Sequence, residues 1–318
     1  MSLALKSIAC CLFATANVKQ DLVVQQGAMP IGSYPAVLGH EGLGTVRHVG
    51  CDVSDKSLKE GDTVILSFHT CRQCRGCLEQ RYGSCTKMTE TNFLNTGRKG
   101  PGAASPISLT DGTPVHGQFF GQSSLSNLAV VCENSVVKIS AEPRDHQYLP
   151  ALACGYLTGA GTVLNVLRPR SDCKVVVLGM GAVGLAAMFA AKALGVKDLV
   201  AVDLVEEKLQ RALSLGATHA INTSKGQNLP SMVRERFPDG VDYIIDTTGV
   251  TKLLQMSVEA LAHEGTLALV GVPPPGEMFQ VNALDMLLSC KRIVGVIEGS
   301  SNPQKVRRPS YTHPLLME

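Results

Sequence analysis

Cys71, Cys74, Cys77 and Cys85 follow the spacing C-x2-C-x2-C-x7-C. Four thiolates this close along a chain can surround one Zn²⁺ tetrahedrally with no coordination position left open, which is the arrangement of a structural site. The x2 spacings suit a zinc knuckle better than a disulfide ladder in a chain of 318 residues, so free or disulfide-bonded cysteines are the weaker reading. Such a lobe orders a loop and performs no chemistry.

A second constellation is Gly179-Met180-Gly181-Ala182-Val183-Gly184, a G-x-G-x-x-G run. It follows the apolar run KVVVLG and opens an Ala-rich stretch, and the next apolar run, LVAVD, ends on an acid, Asp203. In that context the motif is a dinucleotide site. Gly179 permits a tight turn, Gly181 lets the backbone approach a pyrophosphate, and Gly184 allows close helix–strand packing. The helix N-terminus then presents unpaired N–H groups to the phosphates. Asp203 would accept hydrogen bonds from the adenosine ribose, and its charge would repel a 2′-phosphate, so NAD is expected over NADP. The alternatives are an ordinary strand–helix turn for the glycines and a helix N-cap for Asp203.

The elements around these residues differ between the halves of the chain. From residue 174 on, strand and helix patterns alternate. Strands are expected at 174–179, 199–203, 219–222, 241–246, 266–272 and 292–296, and helices at 182–194, 206–215, 231–236, 252–263 and 283–289. The strands are mostly bare apolar runs of the kind buried on both faces, which predicts an α/β doubly wound parallel sheet. The first half is rich in Gly, Pro and turn residues, with short runs such as Val64-Ile65-Leu66 and Leu128-Ala129-Val130-Val131, and predicts a β-rich domain. The expected domains are 1–150 and 151–300, followed by a Pro- and charge-rich disordered tail at 301–318.

Hydrophobic residues at 45% and charged residues at 18% mark a globular chain. A net charge of +2 is too small to point to nucleic acid or an anionic membrane as partner. No apolar run reaches the roughly 18 residues a membrane span needs. Eleven cysteines that include a thiolate cluster fit a reducing compartment, so a cytoplasmic location is expected. Against this, Lys6 followed by the apolar stretch 7–13 and Ala14-Thr15-Ala16 has the form of a short signal peptide. A secreted chain would struggle to keep four zinc thiolates reduced.

Gly39-His40-Glu41-Gly42-Leu43-Gly44, with Gly50 and Val53, fits G-H-E-x-x-G-x5-G-x2-V. With the cysteine lobe and the glycine turn, the stretch from Asp21 to Gln304 resembles the zinc-containing medium-chain alcohol dehydrogenase family. Within that family, the residues 34–41 (YPAVLGHE) and 119–124 (FFGQSS) are most similar to aryl-alcohol (benzyl-alcohol) dehydrogenases. The resemblance implies a GroES-like catalytic domain beside a Rossmann domain. It also implies a catalytic zinc held by a cysteine, by His40 and by Cys154 in the turn 153–159 (ACGYLTG), with Glu41 as neighbouring or alternating ligand. An open Zn²⁺ is a Lewis acid that lowers the pKa of an alcohol. The implied reaction is NAD-dependent interconversion of a primary, aryl or bulky alcohol and its aldehyde by hydride transfer, with secondary metabolism as one setting. The implied assembly is a homodimer or homotetramer, with the strand at 292–296 as the edge available for pairing.

The chain departs from the family at both ends. Val18 stands where the family places the first zinc-ligand cysteine, and Gln20 where it places a Thr or Ser that starts a proton relay. Lys19 keeps the place of a basic residue that meets a cofactor phosphate. Cys10 and Cys11 are candidate substitute ligands. The pattern stops again after Gln304, so the catalytic domain is expected to be incomplete at both ends, with exposed strand edges and an unfilled core. Translated intron sequence at both ends would produce these breaks. Two further readings follow. One is a glutathione-dependent formaldehyde dehydrogenase, which the same lobe fits. The other is a non-catalytic NAD-binding structural or regulatory protein that holds one zinc per chain where the enzyme holds two.

Overall fold

The computed structural model describes residues 7–15, 19–27, 34–94, 107–140, 145–226 and 228–307, with backbone alone for Lys19, Gln20, Val306 and Arg307. The chain divides into two compact units. Of the described residues, one comprises those up to Cys154 together with 302–307, and the other runs from Gly155 to Ser301.

The first unit carries β1 (Ser7–Thr15), α1 (Lys19–Gln25), β2 (Gly42–Val49), β3 (Thr63–Leu66), α2 (Arg75–Leu78), α3 (Met88–Asn92), the short hairpin β4 (Ile107–Ser108) and β5 (Pro114–Val115), β6 (Leu128–Cys132) and β7 (Val136–Lys138). Five of these strands form an antiparallel sheet in the order β6-β1-β2-β3-β7. β1 therefore lies inside the sheet. Ile8 and Cys10 are fully buried in a cluster with Val46, Val64, Leu66 and Val131. The stretch that has the form of a signal peptide is thus a core strand. Its apolar run is explained by burial in the sheet. Cys10 packs there as a small core side chain, and burial pushes its thiol up to about 12.

The segment expected as a tail also differs in part. Residues Pro303–Arg307 form a 3₁₀ turn packed against β7, so the chain returns to the first unit after Ser301. Residues 308–318 lie outside the described residues.

The second unit begins with α4 (Gly155–Gly161) and continues through β8 (Lys174–Leu178), α5 (Ala182–Ala193), β9 (Asp198–Asp203), α6 (Glu206–Leu215), β10 (His219–Asn222), α7 (Leu229–Arg236), β11 (Val241–Asp246), α8 (Thr251–Ala260), β12 (Leu261–Leu269), α9 (Ala283–Leu288) and β13 (Arg292–Gly295). The six strands are parallel in the order β10-β9-β8-β11-β12-β13. The chain winds outward from β8 to β10 and then from β11 to β13 on the other side, so the winding reverses between β8 and β11 and the carboxyl end of β8 is the topological switch point. The bare apolar runs follow from two-sided burial. Val175 and Val177 face one core cluster while Val176 and Leu178 face the other, and Ile245 and Ile244 divide in the same way.

Local sequence sets the helix ends. Asn228 caps α7 by accepting from the Ser231 N–H at 3.0 Å, with Pro230 in the first turn. Gly216 closes α6 at φ 117°, a conformation glycine adopts without strain. One boundary shifts: α8 stops at Ala260 and β12 begins at Leu261. A register shift between Val241 and Tyr243 lets Leu261 pair before the main ladder resumes at Thr266. Among the described residues no helix is long and apolar enough to cross a membrane.

If β1 is a core strand, Ile8→Ala should lower stability by about 2–5 kcal/mol in urea unfolding, the range for a buried Ile cavity. A stability within error of the parent would show that this strand does not belong to the folded core.

Candidate active site and zinc centre

The cysteine lobe is assembled by two short helical turns. Cys74 precedes α2, Cys77 lies within it, and Cys85 ends the 3₁₀ turn Tyr82–Ser84. Gly76 lets these turns meet, since an added Cβ would lie 2.6 Å from the Ser84 carbonyl oxygen. The four sulfurs all lie within 4.8 Å of one another. Cys71 Sγ is 3.5 Å from Cys85 Sγ and 3.9 Å from Cys77 Sγ. These bracket the ~3.8 Å edge of a tetrahedron with ~2.3 Å Zn–S bonds, so the four residues fit a zinc ion. The backbone N–H groups of Cys71 and Cys74 donate to Cys85 Sγ and Cys71 Sγ, both at 3.4 Å, and such bonds stabilise thiolates. A backbone N–H from Thr86 brings Cys74 down to about 6, whereas burial pushes Cys77 up to about 12. A dication among them would deprotonate all four. The lobe is tied to the β6–β7 connection: Arg72 donates to the Asn134 carbonyl at 3.1 Å and stacks over Tyr82, and Asn134 Nδ2 donates to the Thr70 carbonyl at 2.6 Å.

His40 stands just before β2 and is 1% exposed. Gly39 precedes it at φ 94° and has no room for a side chain, because a Cβ would fall 2.4 Å from the Leu125 nitrogen. Asp21, in the first turn of α1, is also buried. It accepts the Gly39 N–H at 2.8 Å and lies 3.2 Å from His40 Nδ1. The ring stacks on Phe120 at 4.5 Å and meets Phe119 edge-on at 5.6 Å, and Phe93 completes the aromatic group 5.0 Å from Phe120. His40 Nε2 is buried with no hydrogen-bond partner. An imidazole held by a carboxylate at Nδ1, with a dry and unpaired Nε2, has the form of a metal ligand. Leaving that nitrogen unpaired would otherwise cost about 1–3 kcal/mol.

Glu41 is buried beside His40, and Cys154 is partly buried in the turn after Ala153. Ser67, the residue after β3, donates to the Ala153 carbonyl at 2.7 Å, which anchors that turn beside the sheet. Among the described residues, only the four lobe cysteines come together as a group of three or more possible ligands; His40, Glu41 and Cys154 do not. Val18 lies outside the described residues, as do the side chains of Lys19 and Gln20. Cys10 and Cys11 join no such group either. Sequence analysis gives Asp21 no role, although the resemblance begins there and it follows Val18, Lys19 and Gln20 directly. It also missed the Phe93–Phe119–Phe120 cluster, whose members come together only through the fold.

In the second unit the three glycines divide their tasks. Gly179 takes φ 89° at the end of β8. Around Gly181 an added Cβ would meet nothing within 4 Å, which leaves the backbone open at the start of α5. At Gly184 a Cβ would fall 1.8 Å from the Gly179 carbonyl oxygen, so helix and strand touch there. Asp203 ends β9, accepts the Met180 N–H at 2.7 Å through one oxygen, and takes the Leu204 and Val205 N–H groups at 2.8 and 3.0 Å through the other. The N-cap of α6 is Val205, so Asp203 is not the helix cap. Its carboxylate braces the glycine turn against the neighbouring strand at the switch point. The open backbone at Gly181 and the helix behind it fit a dinucleotide pyrophosphate.

Residues 11–141 match the alcohol dehydrogenase GroES-like domain and residues 182–309 the zinc-binding dehydrogenase domain. The chain is 37% identical over 298 residues to a Pseudomonas sp protein named "Probable alcohol dehydrogenase", covering 92% of this chain and 91% of that one. It is 33% identical over 287 residues to geraniol dehydrogenase of Castellaniella defragrans, covering 90% and 74%. The crystal structure of benzyl alcohol dehydrogenase from Acinetobacter calcoaceticus superposes with a TM-score of 0.84 at 35% identity, covering 96% of this chain and 80% of that one. The chain belongs to the zinc-containing medium-chain alcohol dehydrogenase family. Zinc-dependent oxidoreduction of alcohols on a dinucleotide-binding fold is its chemistry.

Replacing one lobe cysteine, Cys85→Ser, should remove one zinc per chain in elemental analysis and leave the second unit folded. Unchanged zinc content would show that the lobe is not a metal site.

Proposed function

We propose that the chain interconverts a primary alcohol, aryl or bulky, and its aldehyde with NAD. In this reading His40 and Cys154 hold a second zinc, and Glu41 serves as neighbouring or alternating ligand. The observation that carries it is His40 itself: buried, fixed at Nδ1 by Asp21, unpaired at Nε2 and stacked against an aromatic group. The donor set fits at His40, and the described residues leave it short of three converging ligands. A zinc ion there supplies Lewis acidity to an alcohol oxygen, and NAD supplies the hydride acceptor. The protein's own groups then have defined tasks. Asp21 keeps the ring in the tautomer with a lone pair on Nε2. Phe93, Phe119 and Phe120 supply an apolar, aromatic surround for the ring that holds water away, and this surround suits an aryl or long-chain alcohol. The likeness to a benzyl alcohol and a geraniol dehydrogenase supports the same substrate class. At the other centre, the N–H groups at Gly181 and the start of α5 would hold the pyrophosphate, and Asp203 the adenosine ribose. Thiolate ligands in the lobe support a cytoplasmic setting. The exposed edge strand β13 supports association of copies into a homodimer or homotetramer.

The absence of a converging three-ligand group among the described residues favours a second reading, a one-zinc dinucleotide-binding protein without turnover. Zinc per chain, measured together with NAD reduction by benzyl alcohol, separates the two. Two zincs with turnover support the enzyme, and His40→Asn should then leave one zinc and lower turnover at least about 100-fold. One zinc and no turnover in the parent chain would overturn the first reading and support the second.

Asp203→Ser should weaken NAD binding about tenfold or more and shift preference toward NADP, since a charge-assisted hydrogen bond and the repulsion of a 2′-phosphate are both lost. Equal NAD affinity in titration calorimetry would show that the carboxylate serves the glycine turn alone.

A further inference from the structure

We propose that Gln122 is a positioning residue for His40, acting through the backbone on both sides of Glu41. The inference rests on the reading that His40 holds a metal ion.

Gln122 is 1% exposed, and each of its polar atoms has a buried partner. Nε2 donates to the His40 carbonyl at 2.9 Å and to the Leu66 carbonyl at 3.1 Å. Oε1 accepts the Gly42 N–H at 3.2 Å. These partners settle which end of the amide is which, because two carbonyls face one end and an N–H the other. A primary carboxamide carries a donor and an acceptor at one end of a side chain. The Gln122 carboxamide uses both to span the His40 carbonyl and the Gly42 N–H, on either side of Glu41. Its third bond reaches Leu66, which pairs with Gly42 at the end of the β2–β3 ladder. One side chain thus closes the ladder and fixes the dihedral angles at Glu41.

Gly42 makes room for it. An added Cβ there would lie 2.8 Å from Ser124 Cβ and 3.1 Å from Gln122 Oε1. The His40 ring is held at Nδ1 by Asp21 and on its face by Phe120. Its backbone carbonyl is held by Gln122. An amide is required: a carboxylate lacks both donors, and an apolar side chain would leave two carbonyls and an N–H unsatisfied in a buried place.

The test compares full-length parent protein with Gln122→Glu, Gln122→Met and Ser123→Ala. Mild chelation empties the second site while one zinc per chain remains, and Co²⁺ binding is then followed by its visible absorption. Ser123→Ala removes two neighbouring hydrogen bonds, to Val37 and from Phe119, without touching the clamp. It therefore controls for general loosening. The expected result is a 10–100-fold weaker Co²⁺ affinity and an altered spectrum in both Gln122 variants, the range for partners that orient a ligand, with parent-like values in Ser123→Ala. If Gln122→Met does not fold, Gln122→Glu, which keeps the acceptor and the shape, carries the test. Parent-like affinity and spectrum in the folded Gln122 variants would overturn the role, and so would an equal loss in Ser123→Ala. A parent chain that takes up no Co²⁺ beside its zinc would overturn the metal reading of His40, and the role of Gln122 with it.

Discussion

A buried imidazole has two nitrogens to satisfy, and in this chain Asp21 satisfies one of them. Asp21 and His40 come from separate elements, the first turn of α1 and the entrance to β2, and both are removed from water. A carboxylate buried in this way is tolerated because it accepts the Gly39 N–H and faces His40 Nδ1. The same contact fixes which nitrogen remains unpaired. The aromatic packing, the glycine at position 39 and the ladder end at Gly42 all serve to hold that ring in a dry place with Nε2 available.

The two zinc questions in this chain have different physical answers. The lobe cysteines meet because a short loop with two helical turns brings them within bonding distance, and backbone N–H groups already point at two of the sulfurs. That site is nearly independent of the rest of the fold. The His40 site is not. It draws Asp21 from one helix, Phe93 and Phe119 from distant turns, and Gln122 from the connection that follows them. A site assembled from so many places depends on each backbone connection, and for that reason a single buried amide such as Gln122 matters to it.

The second unit was largely legible in the sequence. Its strands are buried on both faces, so their apolar runs stand out, and its helices carry their own capping signals at Asn228, Asn282 and Gly216. The strand order and its switch point came from the fold, since apolar runs identify strands and not which strands are neighbours. The first unit was harder to read. β1 has the composition of a signal peptide because a strand covered on both sides by neighbours is also a short apolar run, and only its pairing with β2 and β6 distinguishes the two. The return of residues 302–307 to β7 was equally hidden, since Pro and charged residues at a chain end look alike whether they dock or not.

The sequence by itself determined the chemistry that depends on spacing. A C-x2-C-x2-C-x7-C run and a G-x-G-x-x-G turn between strand and helix act within a few residues, so their local order is sufficient. It also named His40, Glu41 and Cys154 by resemblance. Only the tertiary structure decided how the His40 ring is held and which atom it leaves unpaired. Those contacts join residues 19 to 82 positions apart, Asp21 and Gln122 at the limits, and no local pattern records them. Hydrogen-bond satisfaction in a buried place is a property of the packed chain, because it depends on which polar atoms the fold brings within about 3 Å of one another.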